Sequence, residues 1–89
     1  MPEKRELIQI FTQISDPESM NRFFKEIFTP SERHDLQLRL KLMKRLMEGD
    51  SQRKIASDLG ISLCKITRGA KIVNNPKSET NRLLKQLTK

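Results

Sequence analysis

One cysteine, one histidine and three glycines are all that this 89-residue chain offers of the residues from which thiol, metal and phosphate-loop sites are usually built. Cys64 has no second cysteine to pair with, so no internal disulfide can form, and a reducing cytoplasm is the compartment this predicts. His34 stands among Glu32, Arg33 and Asp35 with no second imidazole and no nearby thiolate. It reads as a solvated surface residue, and no metal site of the usual type can be assembled. Neither a glycine-rich phosphate loop nor a Ser, His and Asp arrangement is present, so no catalytic residue is assigned and the chain is read as a non-enzyme. The N-terminus has no apolar signal segment, and no run is long enough to span a bilayer, which argues against secretion and against a membrane partner.

What is present is positive charge, concentrated at one end. Residues 1–50 carry nine basic and nine acidic groups, whereas residues 51–89 carry nine basic and two acidic, so the entire net charge of +7 lies in the second segment. Such an imbalance is the footprint of a protein that displaces counterions from phosphates, although a well-solvated surface has the same composition.

The segment Ser51 to Val73, reading SQRKIASDLGISLCKITRGAKIV, gives that charge a framework. Ser51 is placed to cap a short helix that runs to Leu59, and Gly60 stops it by adopting positive φ at no steric cost. Ser62 caps a second helix. Ala56 is small enough to let the two axes approach, while Ile55, Leu59, Ile61 and Ile66 fill the wedge between them. This is the helix-turn-helix pattern of DNA-binding proteins, and an ordinary αα-hairpin corner of a bundle would give the same local signals.

Upstream, Leu7, Ile8, Phe11 and Ile14 predict a helix from about residue 3 to 14. Asp16 and Pro17 open a second, to about 27, whose Met20, Phe23, Phe24, Ile27 and Phe28 make one stripe suited to core packing. Thr29, Pro30 and Glu32 form a capping box for a third helix of about twenty residues, roughly 30 Å long, ending near Gly49. Leu36, Leu40, Met43 and Met47 line one side of it and Leu38, Leu42 and Leu46 another. A helix apolar on two sides must be covered on two sides, which points to a second copy wrapped around it, the other solution being burial within a monomeric five- or six-helix domain. Asn75 and Pro76 repeat the cap-then-proline signal, and Leu83, Leu84 and Leu87 give a last helix one apolar face, expected to dock on the partner or on the N-terminal helices. A chain this short buries little of its surface alone, and oligomerisation is the usual remedy. The expected organisation is a single domain in which residues 1–50 and 74–89 form a dimerisation core and residues 51–73 a DNA-reading head.

Thr29-Pro30 with Glu32-Arg33, Arg39, Gly49, Gln52-Arg53, Leu59-Gly60 and Ile66-Thr67-Arg68-Gly69 together resemble the tryptophan repressor family over about residues 20–88. The resemblance implies an all-α, six-helix fold with a helix-turn-helix, assembled as an intertwined homodimer. It also implies a cytoplasmic, ligand-dependent repressor of tryptophan biosynthesis or uptake genes, binding double-stranded operator DNA when L-tryptophan is held between the central and recognition helices. Arg39 and Arg68 match the arginines that bracket the amino acid in the family, with Arg68 at its carboxylate. Gly69 matches a position left open for the ligand, and Thr29 one whose oxygen meets the ammonium. Around that pocket the chain departs from the family pattern: Lys65 replaces a threonine, Ile72 a serine and Glu26 a leucine, and the turn before Ser51 is one residue shorter. The carboxylate of Glu26 would favour an ammonium, whereas Lys65 and Ile72 remove hydroxyls.

For DNA, the recognition helix is expected to present Ser62, Leu63, Cys64, Lys65 and Thr67 to the major groove. Cys64, despite the cationic Lys65 beside it, reads more simply as a small, slightly apolar group there than as an activated thiolate. Gln52 and Arg53 open the preceding helix, and Lys54, Arg68 and Lys71 are candidates for phosphates. The general rule for helix-turn-helix dimers, among whose standard examples is the tryptophan repressor family, is a palindromic site with half-sites about 34 Å apart. Two other readings are a ligand-independent DNA-binding regulator of the same fold and a helical protein-binding adaptor.

Overall fold

The computed structural model describes residues 2–87, and these contain six α-helices and no strand. They are α1 Pro2–Gln13, α2 Pro17–Ile27, α3 Pro30–Met47, α4 Gln52–Leu59, α5 Leu63–Val73 and α6 Glu79–Leu87. The described residues divide into two compact units between His34 and Asp35.

In the first unit, Asp16 caps α2 by accepting the Ser19 N–H at 2.9 Å, with Pro17 in the first helical position. The backbone N–H of Ser19 holds the Asp16 carboxyl below its ordinary range. Arg33 donates to the carbonyls of Phe28 at 2.6 Å and Lys25 at 3.3 Å, so a guanidinium satisfies acceptors exposed at the end of α2. Phe11 meets Phe23 edge-to-face at 5.3 Å and Phe24 at 6.4 Å, and Phe24 meets Phe28 at 5.5 Å. The phenylalanine stripe therefore packs as the sequence predicts, yet no side chain of α2 is fully buried. Leu7, Ile8, Ile10 and Ile27 remain exposed beside it.

The expected capping box opens α3. Thr29 N–H donates to Glu32 Oε1 at 2.9 Å and Glu32 N–H donates to Thr29 Oγ1 at 3.2 Å. The Thr29 amide holds the Glu32 carboxyl below its ordinary range, with the Thr29 hydroxyl adding to the effect.

The second unit is organised around Ile55 and Ile66, both 0% exposed, with Leu42, Met43 and Leu84 completing the buried cluster. Leu46, Met47, Ala56, Leu59, Ile61 and Val73 pack around it. Ser51 Oγ accepts Lys54 N–H at 3.2 Å to start α4. Gly60, at φ 64°, ends it, with its own N–H and that of Ile61 both directed to the Ala56 carbonyl. Ser62 Oγ then accepts Lys65 N–H and starts α5. Arg45 ties this head to the central helix: its Nε lies 2.7 Å from Asp50 Oδ2 and its Nη2 2.9 Å from Asp58 Oδ2. The hydrogen bond to Asp50, followed by that to Asp58, raises the Arg45 pKa above its ordinary value.

One expectation needs correction. Asn75 and Pro76 do not start the last helix, because the Asn75 side chain accepts the Lys77 N–H only two residues ahead and closes a turn. Ser78, accepting Asn81 N–H at 3.1 Å, is the residue that opens α6. Within the second unit α6 packs on α5, with Leu84 in the head's own core. On α3 one residue from each apolar stripe, Met43 and Leu42, is buried, whereas Leu40 is exposed. Asn81, itself buried, donates from Nδ2 to the Val73 carbonyl at 2.6 Å and so joins the end of α5 to α6. Its Oδ1 is buried without a hydrogen-bond partner among the described residues.

The left-handed turn and the capping box each have a measurable consequence. Gly60→Ala forces a Cβ into a left-handed backbone and is expected to lower stability by about 1–2 kcal/mol in urea unfolding. A carboxylate with a lowered folded pKa stabilises the fold above its unfolded pKa and loses that contribution as pH falls through the folded value. Glu32→Ala is therefore expected to remove part of the stability lost on acidification, seen as a shallower acid limb when helicity is followed by circular dichroism.

Candidate functional site

Two surfaces of α5 gather the candidate residues of the second unit. On one side, Arg39, Leu42 and Met43 of α3 and Lys65, Arg68, Gly69 and Ile72 of α5 line a cleft of about 100 Å³. Five of the seven ligand candidates named from sequence are thus brought together; Leu42 and Met43 were not among them. The other two lie in the first unit. Glu26 is exposed on α2, and the Thr29 hydroxyl is occupied in accepting the Glu32 amide.

Gly69 also has a packing role beside its place in the cleft lining. A Cβ built on it would run into Leu42 Cδ1 well inside van der Waals distance and would meet Met43 Cγ at 3.4 Å. The missing side chain is what allows α5 to lie directly on α3, and the cleft opens beside that contact. Arg39, Lys65 and Arg68 are exposed at its mouth, and none of them forms a salt bridge among the described residues. A smaller recess shares Arg39, Leu42 and Lys65 with the cleft and adds Asp35, Leu38 and Ile61.

The other surface is a shallow groove lined by Leu63, Cys64, Thr67, Arg68 and Lys71, spaced along one face of α5. All five are exposed and all were named from sequence as DNA candidates. Thr67 Oγ1 donates to the Leu63 carbonyl at 2.9 Å, so its proton is used within the helix and it faces outward as an acceptor and a methyl group. Ser62 is occupied as a cap, and Lys65 lines the cleft and the recess, not this groove. Gln52, Arg53 and Lys54 form the exposed first turn of α4, again with no salt bridge among the described residues. Arg68 alone lines both the cleft and the groove.

The head therefore offers an apolar slot edged by three cations and, sharing one of those cations, a helix face of small polar, apolar and basic groups. This arrangement suits an organic anion on one side and a polyanion with readable edges on the other. No cluster of three or more potential metal ligands occurs among the described residues, and no helix there is long and apolar enough to cross a membrane.

The contact at Gly69 can be tested directly. Gly69→Ala is expected to cost about 1–3 kcal/mol by overpacking. Leu42→Ala, which removes the obstructing methyl, is expected to cost less in the Gly69→Ala background than alone, giving a measurable coupling in a double-mutant cycle.

Comparison with known proteins agrees with the architecture. Residues 3–88 match the family described as Trp repressor protein. A Trp operon repressor homolog of Xylella fastidiosa is 40% identical over 65 residues, which span 72% of this chain and 71% of the relative. One of Photobacterium profundum is 31% identical over 88 residues, 98% of this chain and 85% of the relative. Another, of Chlamydia caviae, is 28% identical over 85 residues, 94% and 84% of the two chains. No solved structure matches significantly. A six-helix chain carrying its cations around an α4-turn-α5 head, matched over nearly its whole length, belongs to the Trp repressor family, a family of DNA-binding regulators and not of enzymes.

Proposed function

We propose that this protein is a cytoplasmic transcriptional repressor that binds palindromic operator DNA as a homodimer and is gated by a small ligand, L-tryptophan, held between α3 and α5. The observation that carries the reading is the dual position of Arg68, which lines both the interhelical cleft and the outer groove of the recognition helix. A ligand carboxylate engaging this guanidinium would fix its direction and the tilt of α5 on α3, so ligand and DNA would act on one side chain.

DNA binding is supported by the exposed faces of α4 and α5, which present Gln52, Arg53, Lys54, Leu63, Cys64, Thr67, Arg68 and Lys71. The basic groups supply affinity through phosphates; Leu63, Cys64 and the Thr67 methyl suit thymine methyls more than hydrogen-bonded base edges. Much of the selectivity then rests on two heads held at a fixed spacing, which a homodimer provides. Assembly with a second copy is supported by Leu7, Ile8 and Ile10 on α1 and by Leu83 and Leu87 on α6, all exposed, Leu87 at 79%. Lys65 and Ile72, where family members carry hydroxyl residues, favour a second reading in which the same heads bind DNA without a ligand.

The test is a gel-shift titration on palindromic DNA with and without L-tryptophan, paired with calorimetry. Gating predicts tighter DNA binding by about 1–3 kcal/mol when the ligand is present, and reciprocal tightening of the ligand by operator DNA. No heat and no change in the shift would leave the ligand-independent regulator. Arg53→Ala and Lys54→Ala are each expected to reduce the salt slope of DNA binding by about one, and a slope unchanged by either would favour the protein-binding adaptor.

A further inference from the structure

We propose that Arg45 is a positioning residue for DNA binding: its guanidinium, held by Asp50 before α4 and by Asp58 in the last turn of α4, keeps this short helix formed and aimed. This rests on the DNA-binding reading above and adds to it a residue that touches no DNA. Left to itself, α4 is a poor helix. It has eight residues, fewer than the roughly twelve to fifteen at which an isolated helix becomes even marginal in water. Its charges also oppose its own macrodipole, with Arg53 and Lys54 in the first turn, at the positive end, and Asp58 in the last turn, at the negative end. Cations in that first turn suit phosphates, and nothing on α4 offsets their effect on the helix.

The compensation comes from α3. Gly49, at φ 95°, ends that helix, with its N–H on the Leu46 carbonyl and the Asp50 N–H on the Arg45 carbonyl, both at 3.1 Å, the paired closure of a Schellman turn. Arg45 and Asp50 are therefore joined twice, through the backbone and, at 2.7 Å, from Nε to Oδ2. Nη2 of the same guanidinium reaches Asp58 Oδ2 at 2.9 Å. One side chain thus grips the turn leading into α4 and the far end of α4, while Ile55 is buried between them. Two polar points and one apolar pin fix the direction of a short rod, and with it that of Gln52, Arg53 and Lys54. Arg45 itself is only 17% exposed and is engaged through two different nitrogens, so it is not free to meet a phosphate. Asp58 is the informative partner. It is one of two acidic residues after residue 50, the other being Glu79, which pairs with Arg82. An acid at this place weakens the pull of the head on a polyanion and opposes the helix dipole, and alanine is the better helix former. Electrostatics and helix propensity therefore both predict that Asp58→Ala improves DNA binding, and only the hold of Arg45 predicts the reverse.

The sign of that effect is the test, read by gel shift of the full chain on palindromic duplex DNA. Asp58→Ala is expected to weaken binding at least about threefold with the salt slope unchanged, because a smaller fraction of the protein holds the competent conformation. Asp58→Glu keeps a carboxylate for Arg45 and is expected to restore most of that loss. In an Arg45→Met background, Asp58→Ala is expected to change binding less than about twofold, since the partner it acts through is gone. Native-state hydrogen exchange reads the clamp without DNA: in Asp58→Ala the amides of residues 55–59 are expected to exchange at least about threefold faster while that of Ile66 in α5 keeps its rate. Tighter or unchanged DNA binding in Asp58→Ala, an equal loss in the Arg45→Met background, or exchange raised equally in α5 overturns the assignment. A salt slope lowered by about one in Arg45→Met, the mark of a direct phosphate contact, overturns it too. A chain that shifts no DNA in any form removes the DNA-binding reading as well, whereas DNA binding indifferent to Asp58 removes this assignment alone.

Discussion

The absence of a side chain at Gly69 is the constraint on which the head depends. Because α5 has no Cβ there, it lies against Leu42 and Met43 of α3 at a distance that a methyl group would prevent. That approach seals Ile55 and Ile66 beneath the two helices of the motif and leaves the slot alongside, edged by Arg39, Lys65 and Arg68. The same contact thus sets the pitch of the recognition helix and defines the shape of the space next to it.

Charge follows a division of labour set by local partners. Arg45 is spent on architecture, bridging Asp50 and Asp58, and these two carboxylates keep it at the joint between α3 and α4. Arg39 and Arg68 have no such partners among the described residues and remain directed to the cleft. The surplus of cations after residue 50 is therefore not an undifferentiated coat. Lys65 belongs to the slot, Lys71 to the outer groove, and Arg68 to both.

Most of the helix boundaries were legible because they are decided within four residues. Asp16, Ser51 and Ser62 each cap through their own side chain, Thr29 and Glu32 satisfy one another, and Gly60 turns the chain by itself. The failure at Asn75 has the same origin. Its side chain carries the chemistry of a cap and is followed by proline, like Asp16 and Thr29, and only the geometry of the following residues shows that its bond closes a turn. Motif spacing revealed the outer face of α5, and the family resemblance pointed to the cationic edge of the cleft. The cleft's floor was hidden, since nothing in the two apolar stripes of α3 distinguishes Leu42 and Met43 from Leu40 until α5 is laid upon them. Asp58 as a partner for Arg45, and Leu84 as part of the head's core, were hidden for the same reason: both depend on segments folding back from a distance.

The bond from Asn81 Nδ2 to the Val73 carbonyl gives the recognition helix a second anchorage, at the end opposite its reading turn. With Gly69 as fulcrum and Asn81 holding the far end of the lever, α5 cannot pivot without dragging α6 along or breaking a short, part-buried hydrogen bond. Leu83 and Leu87, which α6 leaves exposed, are consequently coupled through that one bond to the far end of α5.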